Sequence, residues 1–310
     1  MKRIVQTERQ IRASDGCSLS VLVLDREDVS AGAPVILIFP AMAAPARAYR
    51  KMGRFFAERR YRVVLAEPRG IGRSGAVPSR RVDYGVEAHL DFDWPAFVEW
   101  AQAQYSPAPL VLLGHSLGGQ LSAIYAGRAG PEFAALVLLN AAFVHYRNWD
   151  SRYRPLLWGI FRCCSLLARC CGYFPGKRLG LGHRVSNRVV QDWARWGLTG
   201  KYTDADGGDL ERDLASVTAP ILSISFSDDR FYAPERAVDE FVRRAPRTVL
   251  TRWHLSPGDL QRKRIGHFRH LWDGQSLWER IHMWLANQRI EALSSDHSAA
   301  CGADIAPLYS

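Results

Sequence analysis

No apolar run in the sequence approaches the roughly 18–20 residues that a membrane span requires. The start, MKRIVQTERQIRASDG, has two cations but no apolar stretch behind them. No secretory signal is read there, and a cytoplasmic location is expected. Cysteine is sparse, with six residues that include the adjacent pairs Cys163-Cys164 and Cys170-Cys171. Neither pair has the Cys-x2-Cys spacing of a zinc site, so no metal is expected. The thiols are expected to be free and to serve as small apolar residues of a helix. Acidic residues are outnumbered, 31 Asp and Glu against 41 Lys and Arg, for a net charge of +10. The cations are scattered, with no long basic block and no nucleic-acid motif, so no nucleic-acid partner is expected. The excess reads as a surface property that can attract anionic substrates. Internal repeats and long linkers are absent.

What is present is a globular composition, 47% hydrophobic and 23% charged. A chain of 310 residues can bury a large core unaided. Residues 17–25 read as a strand. The run PVILIF (34–39) is continuous, β-rich and bounded by prolines, as a buried parallel strand would be. A helix is predicted over 46–60, a strand over 61–66 and a helix over 87–104. Strand LVLL (110–113), helix 117–128 and a second LVLL strand (136–139) follow. Alternation of this kind predicts a mostly parallel sheet with helices on both faces. From about 143 to 215 no strand is read. ILSISF (221–226), a helix after Pro234, a strand over 249–254 and a helix over 276–288 restore the pattern. The division expected is a core of 1–142 and 213–292, a mainly helical lid inserted at 143–212, and a loose tail at 293–310.

The sharpest local signal is Gly114-His115-Ser116-Leu117-Gly118, set between the LVLL strand and a helix. In a G-x-S-x-G turn of this kind the serine sits on a strained elbow above the sheet edge. The flanking glycines give the turn room, and the first amides of the helix point at the same spot. Ser116 is the expected nucleophile, and the other reading is an inert serine in a glycine-rich turn. With this elbow on PVILIFPAM and EPRGIGRSG, the chain resembles the serine α/β-hydrolase superfamily over essentially residues 17–290. EPRGIGRSG stands where that family has D-x-R-G-x-G-x-S, with Glu67 in place of Asp. GYFPGKRLGLG, ISFSDD and RIGHF resemble, more narrowly, a group of bacterial α/β hydrolases, a likeness that supplies no substrate.

A nucleophilic serine needs a base and an orienting carboxylate, in the chain order Ser, Asp or Glu, His in this fold. The acid is expected after the 221–226 strand, at Asp229, with Asp228 as the alternative. The base is expected on the loop after the last strand, at His267 in Gly266-His267-Phe268, with His270 as the alternative. His115 lies in the elbow and His254 within the strand, so neither is a candidate. The oxyanion amides are expected from Leu117 and Met42. Pro40-Ala41 takes the position where the family more often has His-Gly. The resemblance implies no cofactor.

The 146–202 stretch is rich in Trp and Tyr and includes the apolar segment PLLWGIFRCCSLLARCCGYF. Its aromatics either line an acyl or aryl pocket or pack the lid onto the core. Contact of 155–174 with a membrane surface is a further reading. The function expected is hydrolysis of a small ester or thioester with an apolar acyl group, through an acyl-enzyme. The alternatives are a non-catalytic binding protein on the same fold, or an acyltransferase or perhydrolase with the same triad. The oligomeric state is left open.

Overall fold

The run VILIF forms β3 (Val35–Phe39), and every one of its residues is buried. Its side chains alternate between two cores, as a strand's two-residue period requires. Val35, Leu37 and Phe39 join one cluster, Ile36 and Ile38 the other. The protein, described here by a computed structural model, is defined over residues 3–130, 133–180 and 182–288. The tail expected over 293–310 lies outside the described residues.

The other strands are β1 (Ile4–Arg12), β2 (Ser18–Arg26), β4 (Arg62–Glu67), β5 (Leu110–His115) and β6 (Phe133–Leu139). After them come the short β7 (Tyr173–Phe174) and β8 (Val185–Ser186), then β9 (Ile221–Phe226) and β10 (Leu250–Leu255). Eight of them make one sheet in the order β1-β2-β4-β3-β5-β6-β9-β10. β1 and β2 are antiparallel to their neighbours, and every pair from β4 to β10 is parallel. The fold is the α/β-hydrolase fold.

The helices are α1 (Arg50–Glu58), the one-turn α2 (Val86–Ala88), α3 (Trp94–Tyr105), α4 (Leu117–Ala129), α5 (Arg154–Cys171), α6 (Asn187–Thr199), α7 (Leu210–Ala215), α8 (Glu235–Val242) and α9 (Gln275–Asn287). α1 and α9 cover one sheet face through Met52, Phe56, Trp278 and Ile281. α3, α4 and α8 cover the other through residues such as Trp94, Ile124 and Phe241.

Between β6 and β9 the described residues add no strand to this sheet. They carry α5, the antiparallel β7–β8 pair, α6 and α7. Asp213 on α7 pairs with Arg128 on α4 at 2.8 Å. The four paired cysteines all lie on α5 as free thiols. β1 was not among the expected strands. Only Ile4, Thr7 and Ile11 of it are even half-buried, so it carries no apolar alternation to read.

Leu37 sits fully buried at the centre of β3. Leu37→Ala is expected to cost about 2–5 kcal/mol of unfolding free energy, seen as a lower denaturation midpoint with an unchanged slope.

Candidate active site

β5 delivers the chain to Ser116, which adopts φ 54 and ψ −121 before α4 begins. A non-glycine residue held in that region costs on the order of 1–3 kcal/mol. The turn is held on both sides. The Ser116 N–H donates to the Leu139 carbonyl at 2.8 Å, and the Ser116 carbonyl accepts from Gly119 and Gln120, each at 3.0 Å. The glycines are sterically required. A Cβ on Gly114 would lie 2.4 Å from the Gly119 Cα, and one on Gly118 would lie 2.3 Å from the Pro40 carbonyl oxygen. Leu117 is the first residue of α4, so its N–H has no partner within the helix.

The turn after β3 is tied to this elbow by a buried relay. The Ala41 N–H donates to the Tyr49 hydroxyl at 2.8 Å, and the hydroxyl meets His115 Nδ1 at 2.7 Å. His115 is itself fully buried. Burial, then the neighbouring His267 and His270, holds its pKa well below the usual histidine value. Sequence reading passed over Tyr49, which falls within the helix predicted over 46–60.

Asp229 and His267 are brought together. His267 Nδ1 lies 2.6 Å from Asp229 Oδ2, with both side chains nearly fully buried. The geometry makes Nδ1–H the donor and leaves Nε2 free. The His267 ring also packs against the His115 ring, centroid to centroid 4.8 Å, which sets it beside the elbow. Among the described residues no hydrogen bond joins Ser116 Oγ to His267, a contact that often tightens only when substrate is bound.

Asp228 does something different. Its two carboxylate oxygens accept the backbone N–H groups of Ile265 and Gly266 at 2.8 and 3.0 Å, which clamps the loop that carries His267. Asn140 was missed by sequence reading. It follows β6 at φ 50, and its Nδ2 donates to Asp229 Oδ2 at 3.0 Å. The signal available was an asparagine directly after a strand, a residue that tolerates positive φ.

His270 stands away from the acid. It is buried against the His115 and Phe226 rings, and neither ring nitrogen has a hydrogen-bond partner among the described residues. Burial, reinforced by His267, lowers its pKa to about 3. A cleft of about 40 Å³ opens beside the elbow on the side of Leu117 and Met42, both of which line it. Ala41, Leu121, Val185 and Val189 add apolar wall, with Arg69 and Arg184 at its polar edge.

The alpha/beta hydrolase fold family model matches residues 34–162, from β3 into α5. That match falls on the strands and helices that carry the elbow of this α/β-hydrolase fold. It is 22% identical over 316 residues to the phospholipase ABHD3 of Bos taurus, a match covering 94% of this chain and 74% of that one. Among solved structures it is similar to Est1E of Butyrivibrio proteoclasticus with bound ferulic acid (TM-score 0.64, 15% identity, 90% of this chain and 99% of that one). It is also similar to the Pyrococcus furiosus esterase PF2001 (TM-score 0.60, 15% identity, 92% and 91%).

The buried histidines set a pH dependence of stability. Unfolded, His270 takes up a proton near pH 6.5, whereas folded it does so only near its lowered value of about 3. The unfolded state thus binds more protons between these limits, and stability falls as pH drops from about 6.5 towards 3. The melting temperature is expected to decline from pH 7 to 5, and the decline should be shallower in His270→Leu.

Proposed function

We propose that the protein is a serine hydrolase of carboxylic esters or thioesters with an apolar acyl group. The observation that carries this reading is the Asp229–His267 pair set beside the strained Ser116 turn. Ser116 Oγ attacks the acyl carbonyl carbon, and His267 Nε2 takes the hydroxyl proton. The Leu117 and Met42 amides receive the oxyanion. The bond to the leaving alcohol or thiol then breaks, and His267 returns the proton to that group. Water, deprotonated by the same imidazole, cleaves the acyl-enzyme and restores the Ser116 hydroxyl. Asp229 holds the imidazole in its Nδ1–H tautomer and stabilises the imidazolium. Each oxyanion donor is worth about 3 kcal/mol of transition-state stabilisation.

The apolar wall of the cleft supports an acyl group over a sugar or a free phosphate. The phospholipase and esterase names of the relatives point towards an acyl ester of a lipid or an aromatic acid. In this reading residues 1–142 and 213–292 act as the catalytic core. Residues 143–212 act as a lid, supplying Arg184, Val185 and Val189 to the cleft.

A fluorophosphonate probe is expected to label the wild type and not Ser116→Ala. Turnover of a p-nitrophenyl ester should fall at least about 10³-fold in Ser116→Ala and in His267→Ala. Near-wild-type turnover in either folded variant would overturn the assignment.

The two acids separate by their partners. Asp229→Asn should lower kcat by up to about 10⁴-fold, whereas Asp228→Asn, which loosens a loop, should cost far less kcat and mainly lower the melting temperature. The reverse ranking would make Asp228 the acid.

A further inference from the structure

α5 has two unlike faces. Leu157, Phe161 and Ala168 are buried, and Phe161 meets Trp193 of α6 at 4.6 Å between ring centroids. α6 in turn lines the cleft with Val189. The opposite face is open. Leu156, Trp158 and Leu166 are 53%, 46% and 63% exposed, and Leu179, just beyond β7, is 51% exposed. Trp158, Arg162 and Leu166 follow one another at four-residue steps, with Arg169 three further on, so they form one stripe along the helix. The Arg162 guanidinium lies over the Trp158 ring at 5.0 Å.

The charge of this region is one-sided. Residues 151–191 contain eight Lys or Arg and no Asp or Glu. Eight of the ten net positive charges therefore fall here, and the rest of the chain is close to balance, with thirty-three cations against thirty-one acids. Among the described residues Arg162, Arg169, Lys177 and Arg178 make no ion pair with a carboxylate.

Burying this face against a second copy would oppose two cationic surfaces, because a two-fold contact sets like on like. A nucleic acid would match the charge and leave the Trp and Leu side chains wet. A lipid surface of negative charge takes both, with apolar side chains at the acyl boundary and guanidinium groups on phosphates.

We propose that the outer face of α5 docks the protein on anionic phospholipid bilayers through Trp158, Leu166, Arg162 and Arg169. The docked helix lies directly over the one that lines the cleft, so the cleft is held near the membrane surface. The proposal extends the ester-hydrolase reading to the physical state of the substrate. Binding itself needs no catalysis.

The test is vesicle flotation of the full chain with phosphatidylcholine alone and with added phosphatidylglycerol, at low and high salt. Wild type and Ser116→Ala are expected to float with the anionic vesicles alone, and less at high salt. The double variants Trp158→Ser/Leu166→Ser and Arg162→Glu/Arg169→Glu should bind at least about tenfold less, while turning over a soluble short-chain ester at the wild-type rate. Failure of the wild type to float, equal binding to neutral vesicles, or undiminished binding by both double variants would overturn the proposal. So would a dimer in gel filtration that the same substitutions dissolve. Absent ester turnover with intact flotation would instead sink the catalytic reading and leave this one standing.

Discussion

Gly118 brings the first turn of α4 down onto the carbonyls of Phe39 and Pro40, and the rest of the site is arranged around that approach. It sets the amide of Leu117 beside the turn that follows β3. The elbow can then be strained at Ser116, because the packing on either side over-determines its backbone. The Ala41–Tyr49–His115 relay fixes the same separation from the opposite sheet face. The start of α4 and the turn after β3 are thus held together by one steric contact and one buried hydrogen-bond chain. Neither depends on which side chains occupy positions 40 and 41. That is the physical reason a Pro-Ala pair can stand where relatives of this fold more often carry His-Gly.

Much of the sheet was legible because its strands are short apolar runs bounded by turn residues. VILIF and both LVLL segments carry no polar interruption, as strands buried on both faces should not. The edge strand β1 was illegible for the converse reason. Its sequence IVQTERQIR buries no side chain fully, and only pairing with β2 makes it a strand. The elbow was readable from Gly114 to Gly118, since each glycine answers a clash that any Cβ would create. Sequence reading put Asp229 ahead of Asp228 but left the alternative open. Adjacent residues after a strand face different ways, and only the position of the 265–267 loop decides which one meets an imidazole. Asn140 and Tyr49 belong to the same class. Their roles arise from partners 89 and 66 positions away in the chain.

Two histidines, His267 and His270, each pack on the ring of a third, His115, at 4.8 and 4.9 Å between centroids. A cluster of that kind in a dry interior cannot carry three charges. Burial keeps His115 and His270 neutral, and His267 alone has a carboxylate at hand. His267, the ring paired with that carboxylate, is the one stacked beside the elbow residue His115. His115 packs between the other two rings.

The two adjacent aspartates also decouple the position of the His267 imidazole from the chain that leads to it. Asp228 holds the main chain at Ile265 and Gly266, and Asp229 holds the imidazole one residue on, both from the end of β9. The turn after β10 closes on itself, through Asp259 and the N–H and hydroxyl of Ser256. The other ties of residues 256–264 run towards α9, from the Leu260 carbonyl to the Ser276 hydroxyl and from Arg262 to Asp273. His267 is thus registered to the end of the sheet rather than to its own approach path.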